Sequence, residues 1–329
     1  MYRFSVWSLL LIWLAACATS APPTLVLTPI LSTTSTLTAA PPTATVLPTA
    51  SQPATATPLV PNFQHIVIIM FENKEFGSVI GNSQMPNFNR LAVEYTLLTQ
   101  YYAIQHPSLP NYIALMSGDT FGINTNCNKC FINATSLPDL IEASGRTWKT
   151  YQEDMPEPCF MGSTLLYAQK HNPFVYFDPI RLNPERCTRS VVPLTDLQTD
   201  IAANSLPNFM FIKPNICNDS HDCSLRVSDA WLMNLLGYLI PALDATGQSY
   251  FVAMLWEEGQ GSHTCCGLPE PGGGRVPIVI QSPQAKNGFE DPTPYTHYSL
   301  LKTISEAWGL QYLGHAAEEN HALIIAPWK

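Results

Sequence analysis

The chain has 329 residues, 46% of them hydrophobic, and a formal net charge of −9. That is ample apolar material for a core, and beyond the N-terminal segment no run reaches the roughly 20 apolar residues of a membrane-spanning helix. Lysine and arginine total 16 against 25 acids and form no basic cluster, so nucleic acid is not expected as a partner. An acidic protein still takes phosphate where a metal ion or local dipoles supply the positive field.

Met1-Tyr2-Arg3 sets one positive charge before an apolar run, Phe4 to Ala16. The run is too short to span a bilayer and suits the h-region of a secretory signal. It ends in Leu14-Ala15-Ala16-Cys17, which resembles a bacterial lipobox. The resemblance implies a signal peptide over 1–16 and a mature chain that begins at a lipidated Cys17 on the extracytoplasmic face of a membrane. Stable anchoring takes more than one acyl chain. The alternative is an ordinary cleaved signal with a chance cysteine. From Ala18 to Pro61 the chain is rich in Thr, Pro, Ala and Ser and carries no charge. Such a stretch cannot build a core, so 17–61 is expected to be a tether and 62–329 a single folded domain.

In the domain, His65–Phe71 is a continuous apolar, β-branched run, the pattern of a strand buried on both faces. Pro86–Tyr95 follows as a helix, Leu97–Ile104 as a strand, and Pro110–Met116 as a helix that ends near Gly118. A helix over Leu137–Ala143 and a short strand over Thr147–Tyr151 come next. Asn208–Ile212 is a strand, Asp229–Ala245 a long helix, Tyr250–Trp256 and Val276–Ile280 buried strands, and Tyr298–Trp308 a closing helix. The alternation predicts an α/β fold with a mostly parallel central sheet and helices on both faces. Ligands in such sheets collect at the carboxyl ends of the strands.

Those ends carry the chemistry. The first strand runs into Glu72-Asn73, a hard oxygen pair suited to a divalent cation. The segment Gln105-His106-Pro107-Ser108-Leu109-Pro110-Asn111 places Ser108 at a helix N-terminus, where free N–H groups favour an anion and a hydroxyl beside a metal can act as a nucleophile. His106 joins it as a catalytic candidate. The loop Pro214–Cys223 offers His221 and Asp222 for metal, phosphate or, through His221, protonation of the leaving oxygen. Glu257 and Glu258 follow a buried strand as adjacent carboxylates that repel unless a cation sits between or beside them. His297, behind Thr296, and His171 are further candidates. Each has a bland alternative as a turn or capping residue, and their shared placement at strand ends favours a site.

Nine cysteines are present. With Cys17 assigned to the lipobox, an even number remains, and spacing suggests Cys127–Cys130, Cys159–Cys187 and Cys217–Cys223. A zinc site at 127–130 is the rival. Cys265 and Cys266 are adjacent, where a bridge is strained, so they are open to pairing elsewhere.

His65–Lys74 resembles the opening motif of the bacterial and fungal phosphoesterase family that contains acid phosphatases and phospholipases C. The similarity continues through His106–Tyr112, Tyr151–Pro156, Lys170–Phe174, Asn218–Cys223, Trp256–Gly259 and His297–Leu301. It implies an alkaline-phosphatase-like fold and a phosphate ester substrate. It further implies a divalent metal held by Glu72, Asn73, Glu257 and Glu258, and a Ser108 nucleophile that passes through a phosphoserine. Ser108-Leu109-Pro110-Asn111 looks like the nucleophile turn of related phosphodiesterases, which gives Asn111 a phosphate oxygen to hold, with His171 and Asp222 as further substrate contacts. Oxygen ligands suggest magnesium, manganese or calcium; histidines would also admit zinc or iron. Two departures stand out: Glu75 replaces the serine and Gly77 the aspartate of the common Glu-Asn-x-Ser-Phe-Asp, and Glu257 replaces the aspartate of Trp-Asp-Glu. The long C-terminal extension of many phospholipases C in the family is missing here, so a phosphomonoesterase is expected, with a phosphodiesterase or phospholipase C as runner-up. A non-catalytic phosphate-binding lipoprotein is the remaining alternative.

Overall fold

The computed structural model describes residues 58–329. The expected signal peptide, Cys17 and nearly all of the expected tether lie outside the described residues. Val60 is already in the core, just ahead of the expected domain start at Asn62.

The elements follow the expected order, with β1 at His65–Phe71, α1 at Phe76–Val79 and α2 at Pro86–Glu94. Next come β2 at Thr96–Leu98, β3 at Tyr101–Tyr102, α3 at Ser108–Ser117, α4 at Leu137–Ala143 and β4 at Trp148–Gln152. Then follow α5 at Asp178–Arg181, α6 at Pro184–Ser190, β5 at Val191–Pro193, α7 at Asp196–Ala202 and β6 at Phe209–Lys213. The chain closes with α8 at Leu225–Ala245, β7 at Tyr250–Trp256, β8 at Ile278–Gln281, β9 at Phe289–Asp291, β10 at Tyr295–Thr296 and α9 at His297–Trp308.

Eight strands form the main sheet in the order β5-β4-β6-β1-β7-β8-β2-β9. All its pairings are parallel except those of β8, which runs against both β7 and β2. Every residue of β1, β6 and β7 is buried, so both faces of the sheet centre are covered. Among the helices, α2 packs with α8 and α3 with α9. The α/β expectation and the mostly parallel sheet both hold.

The differences have local causes. The strand expected over Leu97–Ile104 is two strands, because β2 pairs inside the main sheet while β3 leaves it to pair with β10. Helix α8 starts a turn before Asp229; exposed Arg226 and Val227 in that turn hide the apolar period. The disulfides are Cys127–Cys130, Cys159–Cys187 and Cys217–Cys223, which removes the zinc alternative, and Cys265 pairs with its neighbour Cys266 rather than elsewhere.

Candidate active site

Three adjacent strands of the sheet centre deliver charge to one place. Glu72 directly follows β1, Lys213 ends β6, and Glu257 directly follows β7. Neighbouring strands lie about 4.8 Å apart. Phe71 is in register with Trp256, so Glu72 and Glu257 leave the sheet side by side. Glu72, Glu257 and Glu258 are all buried.

The two oxygens of Glu72 face different surroundings. Oε1 accepts a hydrogen bond from the Tyr112 hydroxyl and lies 3.2 Å from His171 Nε2 and 3.8 Å from Lys213 Nζ. Lys213 is also paired with Asp219, whose carboxylate is 3.5 Å from His171 Nδ1. On the other side, Ser108 Oγ is 3.2 Å from Glu72 Oε2 and 3.2 Å from Glu258 Oε1. Burial works against the Glu72 charge, but His171, Lys213 and the hydrogen bond from Tyr112 hold its pKa down, to about 2.

Glu257 is in the opposite state. Burial, then the neighbouring Glu72, pushes its pKa well above the usual carboxylate range. Its Oε2 accepts the Asn73 N–H at 2.9 Å, while its buried Oε1 has no hydrogen-bond partner. An unpartnered buried oxygen costs about 1–3 kcal/mol or more, so a cation beside it is favoured. Glu72, Glu257, Glu258 and Ser108 offer oxygens of the kind a hard divalent ion takes. Asn73 sits half-buried at the same strand tip with φ 49°, and its side-chain amide forms no hydrogen bond among the described residues. Among the described residues, Glu72 with His171 and Asp219 is the group whose ligand atoms lie within 4.8 Å of one another and could hold a metal ion. The Lys213 ammonium already lies against the Glu72 and Asp219 carboxylates of that group.

Ser108 is the first residue of α3 and is buried. The Leu109 N–H is taken by Asn126 at 3.0 Å and Pro110 has none, so at this helix end only the Ser108 N–H is left for an anion. His106 Nδ1 lies 2.5 Å from Glu258 Oε2, and its Nε2 donates to the Gly261 carbonyl at 2.9 Å. The Glu258 hydrogen bond leads the factors that raise the His106 pKa. His221 stands on the loop closed by Cys217–Cys223; its Nδ1 is 2.6 Å from Asp222 Oδ1, and its ring centre is 5.9 Å from that of His171.

A model of the family described as the phosphoesterase family matches residues 82–311. The chain belongs to the phosphoesterase family. It is 35% identical over 260 residues to the phosphate-repressible acid phosphatase of Penicillium chrysogenum, covering 77% of this chain and 60% of that one. It is 31% identical over 261 residues to an acid phosphatase of Aspergillus fumigatus, covering 77% and 56%. The match thus spans less than two thirds of either fungal protein. To the phosphatidylinositol-3-phosphatase of Mycobacterium tuberculosis it is 32% identical over 264 residues, covering 78% of this chain and 81% of that one. Among solved structures, the lipoteichoic acid synthase LtaP of Listeria monocytogenes superposes with TM-score 0.53 at 12% identity, over 78% of this chain and 75% of that one. A protein of the alkaline phosphatase superfamily from Vibrio parahaemolyticus gives 0.52 at 12% identity, over 79% and 71%. The fold is therefore alkaline-phosphatase-like.

In this phosphoesterase-family site, Glu72, Ser108, His106, Glu257 and Glu258 come together, with His171 behind Glu72 and the His221–Asp222 pair next to His171. Two expected roles change. The Asn111 side chain accepts the N–H groups of Ile104 and Gln105 at 2.8 and 3.2 Å and donates to the Gln105 carbonyl at 2.7 Å, so it braces the turn before Ser108 rather than reaching for phosphate. His297 is fully buried, with Nε2 on the Glu257 carbonyl at 2.6 Å and Nδ1 on the Tyr101 hydroxyl at 3.0 Å. Burial lowers its pKa to about 4. With both nitrogens engaged, it holds the Glu257 backbone in place and has none left for a leaving group. The residues that sequence reading overlooked are Lys213, Asp219 and Tyr112. A lysine closing an otherwise apolar buried strand was the available signal for the first; Tyr112, a turn beyond Ser108 on α3, carried none.

Proposed function

We propose that this chain is a metal-dependent phosphomonoesterase of the acid-phosphatase kind that works through a phosphoserine on Ser108. The observation that carries this reading is the buried Ser108 hydroxyl, set between Glu72 and Glu258 and near a Glu257 oxygen that lacks a partner. A divalent ion held by Glu72, Glu257 and Glu258, with Asn73 as a further ligand, would lower the pKa of the hydroxyl and offset phosphate charge.

The chain's own groups supply the rest. The Ser108 proton passes to Glu258, the second carboxylate it already faces, as its oxygen bonds to phosphorus and the ester oxygen departs. His221, oriented by Asp222, gives the departing oxygen its proton. His221 then takes a proton from the water that hydrolyses the phosphoserine, which releases inorganic phosphate and restores Ser108. The Ser108 N–H lies where charge builds on the phosphoryl oxygens. His171 and Lys213 keep Glu72 ionised throughout, and His106 holds Glu258 in place from the other side through its hydrogen bond.

The phosphatase names of the three relatives support a monoester substrate. The lipobox-like Leu14–Cys17 supports placement on an extracytoplasmic membrane surface through lipid on Cys17. Comparing full-chain turnover of p-nitrophenyl phosphate with that of p-nitrophenyl phosphorylcholine tests the substrate class. Preference for the first upholds the proposal, whereas preference for the second makes the protein a diesterase on the same machinery. Binding of either without product release from the metal-loaded chain would leave a phosphate-binding protein instead.

A further inference from the structure

The departure at Glu75 has a structural counterpart. Its carboxylate is not directed at Ser108 but at the loop that follows Glu258. Oε2 accepts the N–H groups of Gln260 at 3.0 Å and Gly261 at 2.9 Å, and Oε1 accepts that of Arg275 at 3.0 Å. One carboxylate thus clasps both ends of the segment 260–275. Glycine is required for this approach. A Cβ on Gly259 would sit 2.2 Å from Glu75 Oε2, and one on Gly274, where φ is +88°, would sit 2.7 Å from it. The backbone adds a Gly259 N–H to Gly273 carbonyl bond at 2.7 Å and a Phe76 N–H to Arg275 carbonyl bond at 2.7 Å.

The clasp leads to the nucleophile. Gly261, whose N–H is held by Glu75, presents its carbonyl to His106 Nε2 at 2.9 Å. That bond turns the ring so that Nδ1 meets Glu258 Oε2 at 2.5 Å, and the other oxygen of Glu258 faces Ser108 Oγ at 3.2 Å. His106 is 40% exposed, so packing alone does not orient its ring. We propose that Glu75 is a positioning residue for catalysis: by fixing the Gly261 carbonyl it sets the His106 ring, which in turn holds Glu258 against the Ser108 hydroxyl. A carboxylate suits this task better than the serine of the family motif. It offers two acceptor oxygens that span N–H groups from both ends of the loop, where a hydroxyl offers one. The inference rests on the assignment of Ser108 as nucleophile.

The test is a double-mutant cycle in the full chain, read by kcat and KM on p-nitrophenyl phosphate with the melting temperature followed for each variant. Glu75→Ala is expected to lower kcat about 10- to 100-fold with KM within about twofold, since a misplaced group costs on this scale. In a His106→Ala background, the same Glu75→Ala change should lower kcat less than about twofold, because the ring it positions is gone. Glu75→Gln keeps an acceptor for Gln260 and Gly261 but turns an NH2 toward the Arg275 N–H, so its kcat should fall between wild type and Glu75→Ala. An active wild type whose Glu75→Ala loss is as large with His106 absent as with it present would overturn the positioning role alone. So would unchanged kcat in Glu75→Ala. A wild type inert toward phosphoesters, or a fully active Ser108→Ala, would overturn the nucleophile assignment and this inference with it.

Discussion

Glu72 divides its site into two halves that solve the same electrostatic problem differently. Around Oε1 the protein supplies its own compensation: the Lys213 ammonium, the Tyr112 hydroxyl and His171. Around Oε2 it supplies more acid: Glu257, Glu258 and the Ser108 hydroxyl, with one Glu257 oxygen unpartnered. Buried charge is costly unless paired. The first half is complete in the bare chain, and under the proposed function the second would be completed by a cation. The difference teaches where stability resides and where reactivity does. Changes on the lysine side should damage the fold, and changes on the serine side should damage turnover with little effect on the fold.

The sharpest separation comes from the nucleophile. Ser108→Ala should lower kcat at least about 10³-fold while the melting temperature stays within a few degrees of wild type. Urea unfolding alongside p-nitrophenyl phosphate assays would show whether the two quantities part in this way. Lys213→Met should do the reverse in kind, costing about 3–5 kcal/mol of stability, since it strands Asp219 and one side of Glu72 in the interior. If Lys213→Met unfolds at wild-type urea concentrations, the self-compensated half is not what holds this region together.

His297 provides a pH-dependent version of the same argument. Its pKa is lowered by burial to about 4 in the folded chain, whereas in the unfolded chain it titrates near 6.5. Acidification from about pH 6.5 to 4 therefore protonates the unfolded state first, and stability is lost as pH falls, by about 3 kcal/mol. The wild type should lose that much more than His297→Asn between pH 7 and 4, by urea titration at each pH. Equal losses would remove His297 from the account.

The smallest expected effect is the most discriminating. Glu257→Gln should leave stability in EDTA within about 1 kcal/mol, because burial and the neighbouring Glu72 already disfavour its charge in the bare chain. Metal affinity should still drop about 10²-fold, as measured by titration calorimetry. Destabilisation in EDTA with no change in metal affinity would place the cation elsewhere, with Glu72, His171 and Asp219 the group to examine next.

Much of this was legible in the sequence because the chemistry hangs on strand ends. The run His65–Phe71 is apolar throughout since β1 is buried on both faces, and its sharp end put Glu72 on view. The same logic exposed Glu257 and Glu258 after β7. What residue type cannot reveal is where a side chain spends its hydrogen bonds. Asn111 and His297 look like chemical groups, but backbone groups and, for His297, the Tyr101 hydroxyl take up their hydrogen bonds. Lys213 was hidden for the converse reason: a lysine after Phe209–Ile212 reads as the chain leaving the core, whereas the ammonium is buried against Asp219 and Glu72. Glu75 was visible only as a departure from a motif, because its partners are backbone N–H groups more than a hundred residues away.

The central claim is that Ser108 acts as nucleophile in a site that needs a cation. The most direct test is p-nitrophenyl phosphate hydrolysis by the full chain after EDTA treatment, with magnesium, manganese, calcium, zinc or iron added back singly, and Ser108→Ala run in parallel. The account predicts that EDTA abolishes turnover, that at least one metal restores it, and that the variant stays inactive with every metal. Turnover that survives EDTA, or a variant that recovers with the wild type, would contradict it.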